Sequence, residues 1–168
     1  AMAVVLKPAG VHAMSWRNTL KRRQLCLDDV LPLVLEPSRA ADALPAPLPR
    51  HRLDARVAGP VACAKTRGAH VALGRAFEHN GVDKEYGALV VGAVASETIN
   101  TPIDGLPSTT VVTAGSRTPC AVDGMLTDVA LKPVTGRRHQ LRADPFRVRS
   151  PTDPGAAATS TGTGNHCG

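Results

Sequence analysis

Six consecutive residues, His51-Arg52-Leu53-Asp54-Ala55-Arg56, set one carboxylate between two guanidinium groups and are followed by Gly59-Pro60 and the apolar run Val61 to Ala64. Opposite charge close by favours the ionised carboxylate. A committed anion suits a nucleophile better than a proton donor. The same residues could form an ordinary solvated ion cluster, so their meaning depends on what the rest of the chain brings to them.

Two further stretches carry chemical potential. Tyr86, the single tyrosine of the chain, lies in Lys84 to Val94, either as a core aromatic with a satisfied hydroxyl or as a functional ring. Arg137-Arg138-His139-Gln140-Leu141-Arg142 packs three arginines, a histidine and a glutamine into six residues. Such a cluster can bind an anion or line a basic, solvated surface.

The elements that must position these groups follow from periodicity. Ala3 to Lys7 is a short β-branched strand stopped by Pro8-Ala9-Gly10. Trp16, Leu20, Leu27 and Leu31 recur at helical spacing, which predicts an amphipathic helix within Trp16 to Leu35, basic on its polar side and broken at Pro32. Glu36 to Pro49, with Pro37, Pro45, Pro47 and Pro49, reads as an extended connector that delivers the chain to His51. Val61 to Lys65 is a buried strand. Thr66 then caps a helix whose apolar face is Ala69, Ala72, Leu73, Ala76 and Phe77, ended by Asn80-Gly81.

Lys84 to Val94 is apolar on both faces, with Tyr86, Ala88 and Val90 on one and Leu89 and Val91 on the other, so it is expected at the centre of a sheet. Ile99 to Leu106 reads as a loop. Thr109 to Thr113 and Val122 to Lys132 read as antiparallel strands with a bulge at Gly124, and Pro133 to Gly136 as a turn before a helix start at Arg137. From Ser150 onward Pro, Gly, Ala, Ser and Thr dominate, the composition of a disordered tail.

At 168 residues with a net charge of +6, the chain fits one domain at 1–149 plus a tail at 150–168, and its charge suits an anionic partner such as nucleic acid. The four cysteines show neither C-x-x-C pairing nor a histidine at metal spacing, which points to reduced thiols in an intracellular protein and to no metal site. There is no membrane-spanning run, Walker loop or serine-hydrolase elbow. The compartment expected is the cytoplasm or an organelle, mitochondrion or plastid.

Taken in order, VVLKPAG at Val4 to Gly10, HRLD at His51 to Asp54, KEYGALVVG at Lys84 to Gly92 and LKPVTGRRHQLR at Leu131 to Arg142 resemble the motifs of the RluA-type RNA pseudouridine synthases. The resemblance implies an α+β fold, a mixed and mainly antiparallel sheet with flanking helices. It implies isomerisation of selected uridines in ribosomal or transfer RNA without cofactor or metal. By motif position Asp54 corresponds to the catalytic aspartate, Tyr86 to the active-site tyrosine and Arg142 to the arginine that pairs with that aspartate. Arg52, Arg137, His139 and Gln140 take supporting or RNA-contacting places. A non-catalytic RNA-binding or assembly protein of the same fold is the other reading. Two departures stand out: Val57-Ala58 replaces a hydroxyl pair after HRLD, and Ala143-Asp144-Pro145 interrupts the segment that would complete the sheet. The core is therefore expected to be cut short at its C-terminal end.

Overall fold

The structure, a computed structural model, describes residues 1–15, 24–137, 139–143 and 148–149. The first half of the helix expected from Trp16 and the tail from Ser150 lie outside the described residues. The chain forms two compact units, Ala1–Asp83 and Lys84–Gly168.

The first unit is built on a three-stranded antiparallel sheet of β1 (Met2–Lys7), β2 (Ala43–Pro49) and β3 (Gly59–Thr66), in the order β1-β3-β2. β3, the expected buried strand, is central, and its Val61, Cys63 and Ala64 are fully buried. In β1, Ala3, Val5 and Lys7 are covered to differing degrees whereas Met2, Val4 and Leu6 are exposed, the period of two that a strand imposes. The proline-rich connector becomes the strand β2. Arg50 N donates to Ala62 O, so the amides of even-numbered residues here face β3. Pro49, which has no amide hydrogen, therefore turns its nitrogen to the open edge, where nothing is lost.

Helix α1 (Leu27–Val34) buries Leu27 and Leu31. It runs through Pro32 and does not break there, ending where Leu35 N donates to Leu31 O. Helix α2 (Arg67–Glu78) begins where expected, with Thr66 Oγ1 accepting from Ala69 N at 3.2 Å. Asn80 beyond its end has a φ of 53°, the left-handed conformation that asparagine tolerates.

The second unit is a five-stranded antiparallel sheet of β4 (Tyr86–Val91), β5 (Glu97–Ile99), β6 (Thr110–Cys120), β7 (Gly124–Pro133) and β8 (Val148–Arg149), in the order β5-β6-β7-β4-β8. β4 lies between two neighbours, as its two apolar faces require. Val90, Val94, Ile99, Val112, Val129 and Leu131 form the core, with Tyr86, Ala88 and Leu141 packed against it. The irregularity in the β6–β7 ladder falls between Ala114 and Arg117 and not at Gly124. Gly124, at φ 74°, closes the hairpin opposite Cys120, a place that needs left-handed backbone. Gly115 sits at the irregularity, where a Cβ would come within 3.2 Å of Asp128 O. The fold is thus α+β, with antiparallel sheets and few helices.

Burial pushes the Cys63 thiol up to about 11. Since the thiolate is the reactive species, Cys63 is expected to resist alkylation in the native protein at about pH 8 and to react once denaturant is added. Peptide mass mapping of pulse-alkylated protein reads this directly, with the partly exposed Cys120 as internal comparison.

Candidate active site

β2 hands the chain to the HRLD segment through a modified end of the sheet. Arg50 N donates to Ala62 O at 3.0 Å. Regular antiparallel pairing would return a bond from Ala62 N to a backbone carbonyl, but that amide instead donates to His51 Nε2 at 2.9 Å. The His51 ring lies against Phe77 of α2, with centroids 4.5 Å apart and planes inclined at 31°. The Arg50 guanidinium occupies the space beside Gly74 that a side chain would fill, its Nε 2.8 Å from where a Cβ would stand. Its Nη2 is 3.7 Å from Glu78 Oε1. Beyond this clasp the chain leaves the sheet.

Within the loop, burial alternates with exposure. Leu53 is buried and Asp54 half-buried, while Arg52 and Arg56 are exposed. Leu53 owes its seat to Gly59, where a Cβ would meet Leu53 Cδ1 at 3.2 Å. A turn follows the aspartate directly, Val57 N donating to Asp54 O at 3.0 Å. The carboxylate is therefore presented on a backbone bound on both sides.

A charged tether to the loop comes from Lys7, at the end of β1. This side chain is fully buried, and its Nζ donates to Pro8 O at 2.9 Å, Val11 O at 2.7 Å and Ala55 O at 3.3 Å. All three ammonium hydrogens are thereby used. Ala55 O also accepts from Gly10 N at 2.7 Å. Burial pushes Lys7 below the usual lysine range, and the negative charge of Asp54 pulls the other way. Sequence reading names Lys7 only as a letter of VVLKPAG and gives it no role. Its signal was present: by strand alternation Lys7 falls on the inward face with Ala3 and Val5, where a cation must find partners.

In the second unit the TGRRHQLR block divides its residues between inside and outside. Gln140 is buried. Its Oε1 accepts from Thr135 Oγ1 at 2.9 Å and Arg137 N at 3.0 Å, and its Nε2 donates to Thr109 O and Thr110 Oγ1, both at 2.9 Å. Leu141 packs on the core. Arg137 is half-buried, its Nε donating to Pro107 O at 2.8 Å, whereas His139 and Arg142 are exposed. Arg138 lies outside the described residues. The expected helix is the four-residue α3 (Gln140–Ala143), preceded by His139 at φ 55°.

Tyr86 opens β4 opposite Leu131 and is half-buried against the same core that Leu141 touches. Lys84 Nζ stands 3.8 Å from where a Cβ on Gly136 would lie, so the K-x-Y end of β4 and the TGRRHQLR turn adjoin. Asp54, Arg52 and Arg56 thus belong to the first unit, and Tyr86, Arg137, His139, Gln140 and Arg142 to the second.

The sequence pattern of the family described as RNA pseudouridylate synthase matches residues 1–144. The chain belongs to that family. No curated protein matches it at a significant level. Among solved structures, human RNA Pseudouridylate Synthase Domain Containing 1 is similar with a TM-score of 0.60, and human RNA Pseudouridylate Synthase Domain Containing 4 with 0.58. Each is 22% identical over 84% of this chain. The chain spans 59% of the length of either, so these likenesses speak for the fold.

Among the described residues, Cys26, Asp28 and Asp29 have potential ligand atoms within 4.8 Å of one another. Asp28 Oδ2 already accepts from Ser15 N and Oγ at 2.7 and 2.8 Å. No described helix is long and apolar enough to cross a membrane.

Replacing Lys7 by Met keeps the stem but removes its bonds to the three carbonyls, of which Ala55 O keeps the Gly10 amide. A loss of about 2–3 kcal/mol is expected in urea unfolding, since the ammonium's bonds to Pro8 O and Val11 O are not replaced. Gln140→Glu would set a carboxylate oxygen against Thr109 O, and a loss of about 2 kcal/mol is expected by the same measurement.

Proposed function

We propose that this chain isomerises uridine to pseudouridine in structured RNA, ribosomal or transfer, with Asp54 as the catalytic carboxylate. The observation that carries the reading is the loop itself. A family match over residues 1–144 includes an HRLD segment held at both flanks, Arg50 N donating to Ala62 O of β3 and Ala55 O accepting from Lys7 Nζ and Gly10 N, while Asp54 itself stays half-exposed.

The chemistry suits the residue types. Uracil must leave C1′, turn, and rejoin through carbon, so a carboxylate has to attack or assist at the sugar while a pocket retains the loose base. Asp54 performs the first task. Tyr86 stacks on the uracil, and its hydroxyl takes part in moving the proton released when the carbon bond forms. By motif position Arg142 is the arginine assigned to the aspartate. Arg52, Arg137 and His139 are the RNA-contacting groups. Gln140, whose amide atoms are engaged by the protein, shapes the turn that carries them. Extruding the target nucleotide costs a few kcal/mol, offset by stacking and phosphate contacts. The net charge of +6 supplies the latter.

A second reading, an RNA-binding or assembly protein without turnover, keeps the fold and the basic charge, and the departure from the family motif at Ala143-Asp144-Pro145, directly after Arg142, favours it. One experiment separates the two. Unmodified ribosomal and transfer RNA transcripts incubated with the protein are expected to gain pseudouridine, measured by mass spectrometry, and Asp54→Ala is expected to abolish the gain. RNA binding by the same variant should persist, with affinity falling steeply as salt rises. Binding without turnover by the unaltered chain would select the second reading.

A further inference from the structure

The junction between β2 and the HRLD loop holds a group to which neither the motif nor the reaction assigns a task. His51 Nε2 accepts from Ala62 N at 2.9 Å. A backbone amide can only donate, so Nε2 must be the lone-pair nitrogen and the ring proton must sit on Nδ1. The imidazole is therefore neutral in this arrangement. Arg50 N donates to Ala62 O at 3.0 Å, so the segment Arg50-His51 holds both polar groups of one residue of β3. One is held by backbone, as in any antiparallel pair. The other is held by a side chain.

That exchange has a geometric consequence. In a regular ladder Ala62 N would donate to a backbone carbonyl of the segment after β2 and so carry the pairing onward along β3. With the imidazole standing in for it, the sheet can end while Ala62 N stays satisfied, and the chain turns away at His51. Three residues later it presents Asp54, with Leu53 buried between. Phe77 closes against the ring and fixes its plane.

We infer that His51 is a positioning residue for the pseudouridine reaction: in its neutral form it terminates the β2–β3 ladder and thereby sets the loop that carries Asp54. The inference rests on the function proposed above. A proton on Nε2 removes the acceptor and turns two donors toward each other, so the arrangement holds above the imidazole titration and fails below it. Charged and titratable groups on the elements around the ring are Arg50, Arg52 and Asp54 on its own segment, Lys65 and Cys63 on β3, and Arg67, His70, Arg75, Glu78 and the following His79 on α2.

The test uses the full chain and unmodified RNA transcripts over about pH 5 to 8, the range in which histidine changes charge. The rate of pseudouridine formation is expected to fall about tenfold or more toward the acid end, as expected for a displaced catalytic group. His51→Gln, which offers an amide oxygen that does not titrate, should flatten that limb. His51→Ala should be slow throughout while RNA binding stays unchanged. Nitrogen-15 NMR of the imidazole gives a readout independent of activity: Nε2 should be unprotonated at neutral pH, and Ala62 amide protection and the Asp54 loop signals should change together as His51 titrates. A proton on Nε2 at neutral pH, or an acid limb that survives in the Gln variant, would overturn the inference. If the unaltered chain forms no pseudouridine at any pH, the proposed function fails separately. The NMR arm then decides: loop signals that follow the His51 titration uphold its positioning role, and signals that ignore it overturn that role.

Discussion

A buried ammonium is the constraint on which the first unit depends. Lys7 has no access to water, so its charge must be met by the protein or left at a cost of several kcal/mol. Three carbonyls meet it, from Pro8, Val11 and Ala55. The first two belong to the turn that ends β1, and the third belongs to the loop after Asp54. One charge therefore ties the start of the chain to a segment almost fifty residues later. No apolar residue of the same size could do this, because dispersion contacts do not choose among carbonyl directions. The Asp54 charge acting on the same lysine adds a reason for the loop to run where it does.

The second unit solves its positioning problem with a neutral amide. Gln140 offers a donor group and an acceptor group in one plane, and it spends them on Thr109, Thr110, Thr135 and the Arg137 backbone. This side chain joins the Val134 amide and the Thr135 hydroxyl, which bond Thr109, in holding the start of β6 to the turn after β7. The exposed residues His139 and Arg142 flank the anchoring pair Gln140 and Leu141. A motif that reads as one basic cluster is therefore half scaffold. The two units use the same design: a buried polar group with every hydrogen-bonding position filled fixes a loop whose neighbouring residues are exposed or half-exposed.

Much of the scaffold was legible from residue order alone. Thr66 at the start of α2, the positive φ at Asn80, the central place of β4 and the shared face of Tyr86, Ala88 and Val90 all follow from local rules of capping, turn chemistry and period. Two expectations failed, and a third, the extended connector, fell short, for a common reason. Pro32 does not end α1, Gly124 is a hairpin corner and not the bulge, and the proline-rich connector pairs as β2. Local propensity was overridden in each case by what the neighbouring strand or helix supplied: burial of Leu27 and Leu31, the β6–β7 register, and an open edge on which a missing amide has no consequence.

The sequence by itself determined the family, because four motifs in fixed order need no coordinates to be recognised, and it determined which residues carry charge. It could not say which members of a motif touch the interior. HRLD reads as a carboxylate among cations, with Asp54 marked for chemistry and His51 given no task. The tertiary structure separates them, turning His51 onto a β3 amide, burying Leu53 beside Gly59, and leaving Arg52 exposed and Asp54 half-exposed. The reason is that hydrogen-bond satisfaction is settled by partners distant in sequence. Ala62 for His51, Ala55 for Lys7 and Thr109 for Gln140 come within reach only once the strands have paired.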